Sequence, residues 1–193
     1  MLFGISMMAN LKIKQDIIRY KKIKALCKGV VLHLGASDNG HDYDLHNFIK
    51  QDFEVYSVDL KNADYNFDLN KDKWDINKKF DTVIAPEIIE HINNPYMFIK
   101  NCVKLLNKGG RLVLSTPNAT SLIYLKNPGW CVNYQGNSYE GDFGHLHTFT
   151  NKMLKFLMEK NKINVEGLEY LNGYMKNPFG YFECRGRTAR KRI

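Results

Sequence analysis

Four stretches of this 193-residue sequence hold side chains whose type and spacing could do chemistry. The first is the turn Gly35-Ala36-Ser37-Asp38-Asn39-Gly40, which follows the run Val30-Val31-Leu32-His33-Leu34. Small residues at such a point let the backbone approach a ligand closely. The second is Asp59, at the end of the run EVYSVDL, where a carboxylate can accept hydrogen bonds from ribose hydroxyls. A dinucleotide fingerprint wants glycine where Ser37 stands, because backbone must lie against a pyrophosphate. A ribose-bearing ligand without phosphate tolerates Ser37 better. The third stretch is FDTVIAP with Glu87, Glu90 and His91 behind it, and the fourth is GHLHTFT with His145 and His147. One-residue spacing on an extended stretch puts His145 and His147 on one face, as in some metal sites. The sequence shows no clustered carboxylate or thiol partner for them, so no metal is expected.

These residues need a frame, and the hydrophobic pattern supplies one. Short apolar runs alternate with helical patterns, as in parallel strands joined by crossovers. Strands are expected over Gly29–Leu34, Glu54–Leu60, Tyr65–Leu69, Phe80–Pro86 and Arg111–Thr116. Helices are expected over His41–Lys50 and along Met97, Phe98, Val103, Leu105 and Leu106, the latter stopped by Gly109-Gly110. A last helix, Asn151–Asn161, follows Thr148 and Thr150 as caps. The runs Asn164–Leu171 and Phe179–Cys184 read as an antiparallel pair at a sheet edge. The result is an α/β fold with a mostly parallel seven-stranded sheet, helices on both faces and an antiparallel C-terminal strand pair. Between the fifth strand and the last helix, Ala119–Thr148 is long and irregular, the pattern of a lid or binding loop, and carries Trp130, Tyr134 and Tyr139.

Composition suits one domain with a packed core, at 44% hydrophobic and 12% aromatic residues. The net charge of +8 is concentrated at the ends. Seven basic groups face only Asp16 between residues 12 and 28, five stand without an acid in the last nine, and the body over 29–184 is slightly acidic. The division expected is a basic N-terminal helix over 1–28, with Met7, Leu11, Ile18 and Leu26 on its apolar face, a catalytic domain over 29–184 and a basic tail over 185–193. Such runs serve as solvated faces or as contacts to nucleic acid or acidic membrane. Cys27, Cys102, Cys131 and Cys184 have neither disulfide-framework nor zinc-knuckle spacing. The apolar start Met1–Ala9 is far short of the ~20 residues of a spanning helix, and a cytoplasmic protein without a transmembrane segment is expected.

The blocks VLHLGASDNG, VYSVDL, NFDLNKD, FDTVIAPEIIEHINNP, KGGRLVLSTPN and GHLHTFT, in that order, resemble the class I S-adenosylmethionine-dependent methyltransferases, closest to the ubiquinone-type O-methyltransferase branch. The resemblance covers roughly residues 29–170 and implies a Rossmann-like fold. It implies that Gly35, Ala36 and Gly40 line the methionine and ribose of the cofactor, with Ser37 in the same turn. Asp59 would hold both ribose hydroxyls, and Leu60 would pack on adenine. Asp68 would accept from the adenine amino group while Leu69 offers its backbone N–H to a ring nitrogen. Ala85, Pro86 and Glu87 would flank the methyl donor, and His91 matches the family's Glu-His pair. His145 is the candidate general base. S-adenosylhomocysteine would be the product.

The chain departs from the pattern at His33, where the family has Asp or Glu, and at Ser37 and Asn39, where it has glycine. The acid helps hold the cofactor's ammonium group; a neutral imidazole can accept one hydrogen bond there, whereas a protonated one repels the ligand. Three readings stand at this point: a methyltransferase of a small-molecule, glycan or lipid-linked acceptor, an RNA or protein methyltransferase using its basic termini, and a binding protein that kept the fold without the reaction.

Overall fold

A computed structural model describes residues 17–36, 43–120, 144–171 and 181–188. Its seven strands are β1 Val31–Leu34, β2 Val55–Asp59, β3 Tyr65–Asn66, β4 Phe80–Pro86, β5 Leu106–Pro117, β6 Ile163–Leu171 and β7 Tyr181–Thr188. They form one sheet in the order β3-β2-β1-β4-β5-β7-β6. The first five are parallel, while β7 runs antiparallel to both β5 and β6. The helices are α1 over 17–26, α2 Tyr43–Lys50, α3 Pro95–Leu105 and α4 Asn151–Lys160, with a 3-10 turn at Ile89–His91.

All four side chains of β1 are buried, because a central parallel strand is covered on both faces. Its period-two alternation sends Leu32 and Leu34 to one face with Val83, Ala85, Leu112 and Leu114, under Phe98 and Ile99 of α3 and Leu154 and Met158 of α4. Val31, Ile84 and Val113 go to the other, under Ile23 and Leu26 of α1 and Leu45 and Ile49 of α2. Caps fix where two helices start: the Asn94 side chain accepts the Met97 N–H at 3.1 Å, ahead of Pro95, and Thr150 accepts the Met153 N–H at 3.2 Å.

Several boundaries differ from the sequence expectation, each for a local reason. In α1 the buried face is Arg19, Ile23 and Leu26, and Ile18 is exposed, because the helix seats a charged residue against the end of the sheet, while Met7 and Leu11 lie outside the described residues. Gly109-Gly110 does not stop α3, which ends at Leu105; the glycines lie within β5, where the pairing to β4 jumps from Phe80↔Leu106 to Thr82↔Arg111, and Gly109 takes φ +76°. Arg185 and Arg187, expected in a basic tail, are β7 residues paired with Val113 and Arg111 of β5. β3 stops at Asn66, so Asp68 and Leu69 lie in the turn beyond it. Among the described residues no helix is long and apolar enough to cross a membrane.

Candidate active site

In a doubly covered parallel sheet the strands deliver their last residues to one edge, and ligands bind there. β1 ends in Gly35, whose φ of +77° is open to glycine and strained for other residues. The N–H groups of Gly35 and Ala36 both point to Val58 O, at 2.8 and 3.2 Å, which ties the turn to β2. A Cβ on Gly35 would stand 2.1 Å from Ile88 Cδ1, so the turn is also closed over by the chain leaving β4. Ser37, Asn39 and Gly40 lie outside the described residues, as do Trp130, Tyr134 and Tyr139.

β2 ends in Asp59, half-buried, whose Oδ1 accepts the Leu60 N–H at 2.6 Å. Leu60 is 69% exposed, an apolar side chain standing beside a carboxylate with nothing over it among the described residues. Asp68 is exposed, and its Oδ1 accepts the Asn70 N–H at 2.8 Å, so it shapes its own turn. Leu69 O accepts Trp74 Nε1–H at 3.3 Å, which anchors that turn to the core.

β4 delivers Ala85, Pro86 and Glu87. The first two are buried, and Glu87 sits at φ +52°, a conformation that costs a non-glycine residue of order 1–3 kcal/mol and is found where surrounding structure enforces it. Here β5 enforces it: the Glu87 N–H reaches Ser115 O at 2.9 Å and Oε1 accepts Ser115 Oγ–H at 2.8 Å. The Arg19 guanidinium, buried on α1, lies 3.7 Å from the same Oε1.

His33 is fully buried on β1 and stacks on His46 of α2. Burial, then the neighbouring His46 and Arg19, drives its pKa down to about 3. The imidazole is therefore neutral at physiological pH, and the charged form that would repel the cofactor's ammonium group is not populated.

Beyond Glu87, the 3-10 turn places Glu90 and His91. Glu90 is buried, with Oε2 accepting Thr116 Oγ1–H at 2.8 Å. Burial, and then the Glu87 carboxylate, raise its pKa well above the ordinary carboxyl range. Segment 144–150 returns alongside the end of β5 through the Asn118↔Phe149 bridge, and Leu146 and His147 donate their N–H groups to Glu90 O at 2.8 and 3.1 Å. That return brings His145 to His91, ring centroids 4.9 Å apart and edge to face, with His91 Nδ1 3.2 Å from Gly144 O. Burial lowers the His91 pKa, against the Gly144 carbonyl, which raises it. His147 turns instead to Phe149, at 5.9 Å, so the two histidines of GHLHTFT do not act together.

Glu90, His91 and His145 each offer a ligand atom, all within 4.8 Å of one another, a group able to hold a metal ion. This corrects the expectation that His145 has no carboxylate partner. The partner comes from a segment 55 residues away in the chain, which spacing around GHLHTFT could not reveal. Arg19 stands beside Glu87 and His46 beside His33, and sequence patterns did not single them out, whereas Glu90 was named only as a neighbour of His91 and its place beside His145 was not foreseen. Arg19 was hidden in a charge run, whereas Glu90 had a signal, its three-residue spacing from Glu87.

The site residues present match the chemistry of S-adenosylmethionine: an acceptor for ribose hydroxyls at Asp59, an exposed apolar surface at Leu60 for a purine face, a backbone cradle at Gly35, and carboxylate and guanidinium at Glu87 and Arg19 for a zwitterionic amino-acid end.

Comparison with known proteins agrees. The methyltransferase domain family matches residues 28–166. The mitochondrial ubiquinone biosynthesis O-methyltransferase of Rattus norvegicus is 32% identical over 111 residues, 57% of this chain and 31% of that protein. The ubiquinone biosynthesis O-methyltransferase of Pelagibacter ubique is 35% identical over 127 residues, 60% of this chain and 51% of its own. The chain thus matches about a third to a half of the length of these relatives. Among solved structures, the N-methyltransferase NodS from Bradyrhizobium japonicum superposes with a TM-score of 0.65 at 12% identity, covering 92% of this chain and 98% of that one. Magnesium protoporphyrin IX methyltransferase from Synechocystis, with bound S-adenosylhomocysteine, gives 0.62 at 14% identity, covering 91% and 84%. The chain belongs to the methyltransferase domain family, and ubiquinone biosynthesis O-methyltransferases are among the proteins it is similar to.

Proposed function

We propose that the chain O-methylates a small-molecule acceptor, with Asp59, Leu60, Gly35, Ala36, Ala85, Pro86 and Glu87 holding the cofactor and His145 taking the acceptor's proton. The observation that carries this reading is the meeting of His145 with His91 and Glu90, next to the carboxyl end of β4. The curated relatives are named as O-methyltransferases of ubiquinone biosynthesis, and a hydroxyl is the acceptor for which a base matters. The bound cofactor supplies a methyl group on a sulfonium, already a good leaving group, so holding the reactants in line is the larger task, worth up to ~7–11 kcal/mol. The protein's part is then to orient and to hold a proton. Asp59 fixes the ribose, Leu60 covers a purine face, and Glu87, itself fixed by Ser115, offers its carboxylate to the cofactor's cationic end. Arg19 suits the carboxylate at the same end. Asp68 and Leu69 complete the adenine pocket from the turn after β3. His145 accepts the hydroxyl proton on an imidazole nitrogen.

Three described residues of the N-terminal basic cluster are engaged within the chain rather than presented to nucleic acid. Arg19 faces Glu87, Lys24 Nζ reaches Phe48 O and Asp52, and Lys28 Nζ reaches Gly109 O. The test is calorimetry with S-adenosylhomocysteine. Asp59→Ala is expected to lose measurable binding while His145→Ala keeps it, and wild-type affinity in Asp59→Ala would overturn the cofactor assignment.

A further inference from the structure

Parallel neighbours in a sheet are ordinarily joined by a crossover of about a dozen residues or more, usually a helix. β2 and β3 are parallel, with Val58↔Tyr65 and Asp59↔Asn66 in register, yet only residues 60–64 join them. The chain therefore climbs to Asp59, turns over with Asn62 at φ +54°, drops back to the level of Ser57 and climbs again. No helix is available in so short a path to hold the residues that follow Asp59.

A side chain holds them instead. Asp64 Oδ2 accepts both the backbone N–H of Ser57, at 2.7 Å, and its hydroxyl, at 2.8 Å. The Asp64 N–H donates back to Ser57 Oγ at 3.0 Å. Ser57 is buried on β2, two residues before Asp59. The Asp64 oxygen thus takes the N–H that a longer neighbouring strand would have taken, and pins the returning chain to β2. Asn66 closes the other side, its Oδ1 accepting the Ala63 N–H at 3.1 Å and its Nδ2 donating to Ala63 O at 2.9 Å. The Asp59 carboxylate is oriented by the first N–H of this same loop, that of Leu60.

We infer that Asp64 is a positioning residue for the adenosine half of the cofactor: by locking the loop over 60–64 onto Ser57, it sets the direction of the Asp59 carboxylate and the place of Leu60. The inference rests on the reading of Asp59 as the ribose acceptor. A carboxylate is not required for the lock, only an oxygen that accepts two hydrogen bonds, so asparagine at 64 serves and alanine does not.

The experiment compares full-length wild type, Asp64→Ala, Asp64→Asn and Asp59→Ala in binding S-adenosylhomocysteine and its 2′-deoxyribose analogue. Wild type is expected to prefer the ribose ligand by about tenfold, the worth of one charge-assisted hydrogen bond. Asp64→Ala weakens S-adenosylhomocysteine by about that factor and binds both ligands nearly alike, and Asp64→Asn restores both affinity and preference. Wild-type affinity in Asp64→Ala, or equal weakening of both ligands, overturns the positioning role. Asp59→Ala separates the two claims: undiminished binding there sinks the ribose assignment itself, whereas loss there with an unaffected Asp64→Ala sinks only the role of Asp64. Should Asp64→Ala fail to fold, Ser57→Ala keeps the bond to the backbone N–H and deletes the hydroxyl. A reduced ribose preference in that variant supports the inference, and an unchanged one overturns it.

Discussion

The ring of His33 lies on that of His46, centroids 5.7 Å apart and planes 16° apart, two residues before the Gly35 turn. Burial, His46 and Arg19 hold the His33 pKa at about 3, against 6.5 for an ordinary histidine. Between those values the unfolded chain binds a proton that the native chain refuses. The stabilisation is thus complete above pH 6.5 and drains away as pH falls toward 3, by at most about 5 kcal/mol. From pH 7.5 to 5 the loss attributable to His33 is about 2 kcal/mol. The Glu90 shift opposes it, so the measure is the difference between wild type and His33→Leu in urea unfolding at the two pH values. A leucine variant as acid-sensitive as wild type would refute the assignment.

Gly35→Ala combines two costs. The positive φ asks about 1–2 kcal/mol of an L-residue, and the new methyl overlaps Ile88 Cδ1. Ile88→Ala removes the overlap but leaves the backbone strain. In a double-mutant cycle by denaturant unfolding, the pair should therefore be less destabilised than the sum of the singles by about 1 kcal/mol or more, and strict additivity would count against the packing described.

The strands that carry the site were legible because a buried parallel strand is an unbroken apolar run, and β1, β2 and β4 each announce their last residue by the polar or small group that ends the run. Asp59 and Gly35 follow from that alone, and Glu87 follows only from the resemblance to the methyltransferase family. What sequence patterns did not disclose is what long-range pairing creates. Arg19 reads as one of seven basic groups until α1 is placed against β4, and Ile18 reads as core until Arg19 takes its place. His145 reads as lacking a carboxylate partner until Phe149 pairs with Asn118 and sets it beside His91. Tyr65–Leu69 reads as one short strand, but the Asp68 side chain takes the Asn70 N–H of its own backbone and the strand ends at Asn66.

Glu90→Gln tests the buried carboxyl. Its pKa is raised by burial and by Glu87, so the native state keeps a proton that the unfolded chain gives up above about 4.5. Wild-type stability from this group is therefore full at pH below 4.5 and declines as pH rises toward the folded-state value. Glutamine has the same shape, and its amide oxygen can accept from Thr116. The variant should gain on wild type at pH 8, by of order 1 kcal/mol, with no gain at pH 4. Its turnover should fall while its stability rises, because the group sits among His91 and His145 rather than in the apolar core. Thermal unfolding at the two pH values measures the first part; a variant less stable than wild type at pH 8 would show that the carboxylate is charged and satisfied in the native state.

His145→Gln separates base from bystander. Only an unprotonated imidazole accepts the acceptor's proton, so wild-type kcat should rise with pH along a single ascending limb. The glutamine variant should lose that limb and about 10²–10⁴-fold in kcat, with S-adenosylhomocysteine affinity unchanged. His91 is the control, since its ring lies edge to face with that of His145 and its Nδ1 lies 3.2 Å from Gly144 O. Burial lowers its pKa, so it stays neutral to more acidic pH than an ordinary histidine. His91→Gln is expected to keep the ascending limb while lowering kcat modestly, because it removes a ring that packs against the base. If the limb disappears in His91→Gln and persists in His145→Gln, the two histidines exchange roles and His91 is the base.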